Sequence, residues 1–382
     1  MCSQPIYFDY AATTPVDPRV ATIMAQCLTQ EGTFANPASR SHMLGWIAEQ
    51  AVERARSQVS ELINADPREI VWTSGATEAN NLALTGFMRA NCKRGRHLVT
   101  STIEHKAVID TALALETEGF KVTFLTPDSY GRISPNCLKE ALRDDTVLVS
   151  LMAANNEIGT INDIQRLGEI VREHGAAFHV DAVQAIGKLW IDLELLPVDM
   201  MSMTAHKIYG PKGIGALFVR KGIHIEPLIH GGGHERGMRS GTLATHQITG
   251  MGEAFSLARK DFIKEVNHLE NLREKLLFGL NRIKGVKINN DPDKCVPNIV
   301  NVGFEGLDSE TLLMALRDFA MSTGSACNSA NIDPSYVLTG IGMSRKRALE
   351  SIRFSFGRYT TDKDIDKLLT ELDKILPKLR YE

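Results

Sequence analysis

Between residues 70 and 203 the chain alternates repeatedly between short apolar, β-rich runs and stretches with helical periodicity. The runs fall at 70–73, 97–100, 121–125, 146–151, 177–180 and 199–203. Strand, helix, strand repeated in this way implies a mostly parallel, doubly wound sheet, and such sheets bind ligands at the C-terminal ends of their strands. The helix expected over 163–174 is well punctuated: Asp163 supplies an N-cap, Ile164, Leu167, Ile170 and Val171 form a stripe, and Gly175 is the stop. Upstream, Leu44, Ile47, Ala51, Val52, Ala55, Val59 and Leu62 recur at helical spacing and predict one long amphipathic helix over 39–63 with these residues on its apolar side. Residues 7–15 are irregular and read as an arm. After about 260 the pattern changes to a long helix over 262–283, further helices over 309–320 and 362–379, and short strands near 298–304 and 351–356. At 382 residues the chain exceeds one typical core. The expected division is a large domain over 15–259 and a smaller α+β domain built from 1–14 and 260–382.

The balance of 43 basic against 46 acidic residues leaves a net charge of -3, so direct nucleic-acid binding is not expected. The N-terminus lacks a signal-peptide pattern, and no apolar segment reaches membrane-spanning length, which predicts a cytoplasmic protein without a membrane partner. Six cysteines, at 2, 27, 92, 137, 295 and 327, include no Cys-x-x-Cys pair, so neither a disulfide framework nor a metal site is expected.

The chemistry gathers at the expected strand ends. After 70–73 come Ser74-Gly75-Ala76-Thr77, small residues opening a helix, where backbone N–H groups and the Thr77 hydroxyl suit a phosphate or simply cap the helix. His105 follows the next strand and can stack on a ring or move protons; alone, such a residue is more often a structural histidine. Asn155-Asn156 offers amide groups. Asp181 ends a buried run with no Lys or Arg beside it, a costly position unless something pairs with it, and a protonated pyridine nitrogen is such a partner. Lys207, in Thr204-Ala205-His206-Lys207, lies in the turn between two strands, where desolvation frees an amine to condense with an aldehyde. Phosphate turn, histidine, amide, aspartate and lysine on successive strand ends are what a pyridoxal 5'-phosphate site requires.

These residues carry a resemblance. Asp9-Tyr10-Ala11-Ala12-Thr13-Thr14-Pro15, Thr73-Ser74-Gly75-Ala76-Thr77-Glu78, Thr102-Ile103-Glu104-His105-Lys106, Asn155-Asn156-Glu157-Ile158-Gly159, Val180-Asp181-Ala182-Val183-Gln184, His206-Lys207-Ile208-Tyr209-Gly210, Arg236-Gly237-Met238-Arg239-Ser240-Gly241-Thr242 and Ser325-Ala326-Cys327 stand as they do in the cysteine desulfurases of the class V aminotransferase family. The chain is similar to the bacterial housekeeping type, which serves iron–sulfur clusters and tRNA thiolation, from Ile6 to about Arg380. The resemblance implies the aspartate aminotransferase-like fold of pyridoxal-phosphate transferases and a homodimer. It implies that Lys207 binds the cofactor covalently, that His105 stacks on the ring, that Asp181 pairs with the ring nitrogen, and that Gln184 and Asn156 bond cofactor or substrate. Ala76, Thr77, Thr204 and His206 would hold the phosphate, with Thr242 contributed across the dimer.

Cys327 lies in a run of small residues, 322–330, without apolar anchors, which predicts an exposed thiol able to approach a substrate sulfur. Arg353 sits mid-strand in an apolar setting, where its guanidinium suits either a structural salt bridge or the α-carboxylate of an amino acid. The implied reaction converts L-cysteine to L-alanine and leaves a persulfide on Cys327, for transfer to an iron–sulfur scaffold or a tRNA-thiolation protein. Relatives of this type continue into a tail that docks the scaffold, whereas this chain stops at Tyr381-Glu382, so the resemblance carries the chemistry and not that docking. The basic stretch Met343-Ser344-Arg345-Lys346-Arg347 is a second departure and bears on which partner binds.

Overall fold

A computed structural model describes residues 4–323 and 333–381. Its strands, in chain order, are β1 (Ile6–Tyr7), β2 (Ile70–Thr73), β3 (His97–Ser101), β4 (Lys121–Leu125), β5 (Thr146–Met152), β6 (Ala177–Asp181), β7 (Met200–Thr204), β8 (Gly215–Val219), β9 (Val286–Ile288), β10 (Ile299–Phe304), β11 (Phe319–Ala320) and β12 (Ser351–Ser355).

Seven of them form one sheet in the order β2-β8-β7-β6-β5-β3-β4, in which only β8 runs against the others. Because strand side chains alternate between faces, each run feeds two cores. Trp72, Val99, Val149, Phe178, Met201 and Phe218 face one, while Val71, Leu98, Leu148, Ala177, Met200 and Leu217 face the other. Both faces are covered, which is why these strands read as continuous apolar runs. The register pairs Thr73 and Thr204 with Gly215, Asp181 with Ser202, and Met152 with Asp181. The C-terminal ends of β2, β7, β6, β5 and β3 therefore lie side by side along one edge.

The Ile164–His174 helix has the expected punctuation: Asp163 accepts from Arg166 N–H, and Gly175 is left-handed at φ 88°. A second sheet, β12-β10-β9, carries a core of its own, in which Phe304, Phe354, Leu272, Leu276, Leu368 and Leu372 pack beneath the helices Phe262–Leu280 and Asp362–Tyr381.

Three expectations need correction. The helix over 309–320 ends at Ala315, because Phe319–Ala320 instead pairs in parallel with Ile6–Tyr7. The arm at 7–15 accordingly begins as a strand. The long helix runs Met43–Leu62, and Leu44 and Ile47 are exposed rather than buried, so only its later turns (Ala48, Val52, Ala55, Val59) face the core.

Candidate active site

The edge where the strands end collects the site. Lys207, two residues after the Ala205 turn that follows β7, is half-buried, and its Nζ donates to Ala11 O (2.5 Å) and Ala12 O (2.7 Å) of the arm. Those carbonyls do not neutralise it. Burial first, then the fields of Arg353 and Lys188, bring its pKa down to about 7, against the opposing pull of Asp9 and Asp181. The arm is held in turn by Gln184 Nε2 on Ala11 O (3.0 Å), Thr14 Oγ1 on His206 O (3.0 Å), and Ala11 N–H on Ser355 Oγ (2.9 Å).

Asp181 closes β6, is 6% exposed, and accepts from Asn80 Nδ2 (2.8 Å) and Val183 N–H (3.0 Å). No basic side chain bonds to it among the described residues. His105 follows β3; it is exposed, and its Nδ1 accepts from Ala107 N–H, capping the Lys106–Thr117 helix. Desolvation lowers its pKa, with Asp181 opposing and Lys207 reinforcing. His206 is pushed down to about 4 by burial and by Lys207, Lys212 and Lys188, so it is neutral; its Nδ1 stands 3.2 Å from Thr13 Oγ1.

Arg353, on β12, is 4% exposed and donates from Nη2 to Asp9 Oδ1 (2.8 Å) and from Nη1 to Asn156 O (2.7 Å). The salt bridge open as an alternative from sequence is thus present, yet Nε keeps no partner. Ala76 and Thr77 begin the helix after β2, which has no side-chain cap, and a Cβ on Gly75 would meet nothing within 4 Å. Thr204 is buried, with Oγ1 donating to Ile214 O (3.0 Å). Thr242 is exposed, and no hydrogen bond among the described residues joins it to the Ala76–Thr77 turn; its own segment is tied there by Arg239, which clamps Glu78 at 2.8 Å.

Cys327 lies outside the described residues. The chain on either side is anchored: Ser322 O accepts from Arg353 N–H (2.7 Å), Ser335 Oγ donates to the buried Glu157 (2.5 Å), and Tyr336 OH donates to Glu104 O (2.7 Å).

The chain matches the aminotransferase class-V family model over residues 6–368. It is 55% identical over 378 residues to the cysteine desulfurase IscS of Azotobacter vinelandii, covering 98% of this chain and 94% of that one. The chain belongs to the class V aminotransferases, among the cysteine desulfurases. Solved cysteine desulfurase-like structures share its fold: a NifS-like protein is 38% identical with a TM-score of 0.92 over 98% of this chain and 100% of that one. A protein titled SspA, in complex with cysteine, is 39% identical with a TM-score of 0.82 over 93% of this chain and 100% of that one.

Cysteine desulfurases of this family depend on pyridoxal 5'-phosphate, and the residues here fit it. A buried carboxylate without a bonded cation, an amine with a pKa near neutrality, and an uncapped helix start meet at one edge. Around them Asn156 Oδ1, Gln184 Oε1 and Asn80 Oδ1 are buried without partners. Buried polar atoms in such numbers point to a polar ligand.

Sequence reasoning assigned no role to Asn80, Asp9, Glu104 or the Ala11 and Ala12 carbonyls. Asn80 carried a legible signal, an amide on the otherwise apolar side of a short helix; the arm's carbonyls carried none, since backbone contacts leave no mark on residue type.

Proposed function

We propose that this protein removes sulfur from L-cysteine, releases L-alanine, and leaves a persulfide on Cys327 for acceptor proteins of iron–sulfur cluster assembly and tRNA thiolation. The observation that carries this reading is the Lys207 amine, drawn down to about pH 7 at a strand end beside a buried Asp181. The proposed division is a large domain over 15–259 and a smaller one from 1–14 and 260–382, and the separate core under β9, β10 and β12 supports it.

Lys207 would hold the cofactor, Asp181 its ring nitrogen, His105 its ring face, and Gln184 and Asn156 its polar edge. Ala76, Thr77, Thr204 and His206 would hold the phosphate, with Thr242 of the partner subunit. Bound pyridoxal 5'-phosphate supplies an electron sink for negative charge at the substrate α-carbon. The Lys207 amine, with its pKa drawn down to about 7, would hold the cofactor through Nζ and, when free, would carry protons. With Nδ1 of His105 accepting from Ala107 N–H, the neutral ring carries its proton on Nε2, the position left to exchange it. Asp181 would stabilise positive charge on the ring nitrogen, and Arg353 would share its fork between Asp9 and the substrate carboxylate. The Cys327 thiolate forms a bond to the substrate sulfur; the carbon–sulfur bond breaks, its electron pair stays on carbon, and a proton there completes alanine.

Homodimerisation and a cytoplasmic location belong to the same reading. Met43, Leu44, Trp46 and Ile47 expose apolar surface on the first turns of one helix, as an interface would. Cys27, Cys92, Cys137 and Cys295 are free, which suits a reducing compartment. No helix among the described residues is long and apolar enough to cross a membrane.

Incubation with L-cysteine and a reductant should yield alanine and sulfide in equal amounts. In Cys327→Ala both should vanish while the cofactor's spectral response to cysteine survives. A keto acid without sulfide, or full activity in that variant, would overturn the reading.

A further inference from the structure

Lys188 is a buried cation that this chemistry does not use. It follows Gly187 in the turns after β6, and its Nζ has no hydrogen-bond partner among the described residues. A buried ammonium left unpaired is costly, so its presence calls for a physical account. Lys188 lines a small cavity together with Lys207, Tyr10 and Tyr209, and with Glu265 and Asn298 from the other core. The cavity measures about 10 Å³, the space of a single water, and Asn298 Oδ1 is likewise buried without a partner. An orphaned donor and an orphaned acceptor lining one such cavity are what a bridging water satisfies. Glu265 is the one anion acting on Lys188, and it is already engaged by Arg358 at 2.6 and 3.0 Å.

Two cations disfavour the Lys207 ammonium, Arg353 and Lys188, and Asp9 and Asp181 favour it. Arg353 is paired to Asp9 at 2.8 Å, which offsets part of its field. Lys188 has no such partner, and its charge also acts on His206.

We propose that Lys188 is a positioning residue for Lys207: its buried ammonium, hydrated by one internal water shared with Asn298, keeps the Lys207 amine uncharged and ready to take up the cofactor's aldehyde. This rests on Lys207 being the cofactor-binding lysine. Burial holds Lys188 itself at about 8, so it is charged at neutral pH and loses its effect above that.

The test follows uptake of pyridoxal 5'-phosphate by the full-length apo-protein, read as visible absorbance across a pH series. In Lys188→Met the midpoint of the rate–pH profile should move up by about one unit, while Lys188→Arg stays near wild type. An unmoved midpoint in Lys188→Met overturns the proposal, as does a Lys188→Arg midpoint displaced equally far, since that would make shape rather than charge decisive. Should Lys188→Met fold poorly, Lys188→Gln read on the same midpoint decides. Lys207→Ala separates the two readings: a coloured covalent adduct in that variant overturns the assignment of Lys207 instead.

Discussion

Glu104 shows how strongly burial sets protonation beside the site. Its carboxyl is fully buried, accepts from Ser101 Oγ (2.8 Å) and Met152 N–H (3.0 Å), and leaves Oε2 without a partner. Desolvation raises its pKa to about 8 despite those bonds, with Asp181 adding to the rise. A folded-state value above the unfolded one means that the native protein holds the proton more tightly. The associated stability is therefore complete below about pH 4.5 and declines as the pH climbs to about 8. Glu104→Gln keeps the shape and removes the titration. Thermal melts should match wild type near pH 5 and show an advantage of order 3 kcal/mol above pH 8. Parallel melting curves at both pH values would rule this account out.

At the scale of elements, β8 and the turn after β2 approach closely beside the site. A Cβ on Gly215 would sit 2.7 Å from Gly75 C and 2.7 Å from Met203 O, and backbone atoms cannot step aside as a flexible side chain can. Gly215→Ala should therefore cost about 1–3 kcal/mol in urea unfolding and, by displacing the Gly75–Ala76 turn, speed loss of cofactor on dialysis. Normal stability with normal retention would show that the turn has more slack than the geometry implies. The sequence was most legible at this scale. Buried strands from 70 to 203 stood out because both of their faces are apolar, and the helix at 164–174 because its cap and stop are chemically distinct residues. The reversed direction of β8 left no sign, since a fully buried strand has the same composition either way. The end of the helix at Ala315 was hidden too, because the pairing of β11 with β1 is fixed by residues more than 300 positions away. Strand ends made His105, Asp181 and Lys207 visible, whereas Lys188 gave no signal, its burial being a product of packing between the two cores.

For the whole molecule, the exposure of Leu44 and Ile47 matters most. Helical spacing placed them on the apolar stripe, and the single chain leaves them, with Met43 and Trp46, facing outward. An apolar helix start without an internal partner fits contact with a second copy, the assembly that would also bring in Thr242. Trp46→Glu, 52% exposed and outside the site, should halve the mass seen by light scattering while far-UV circular dichroism is unchanged. An unchanged mass would place the contact elsewhere.

The threading of residues 8–14 between the two cores sets an order of assembly. Asp9 meets Arg353 across 344 positions, and Ala11 meets Lys207 across 196. The segment thus cannot find its contacts before residues 196 and 344 positions further along are in place. Removing residues 8–14 would strip the Lys207 amine of the two carbonyls it donates to and Arg353 of its carboxylate, and take Phe8 and Ala11 from the two hydrophobic interiors.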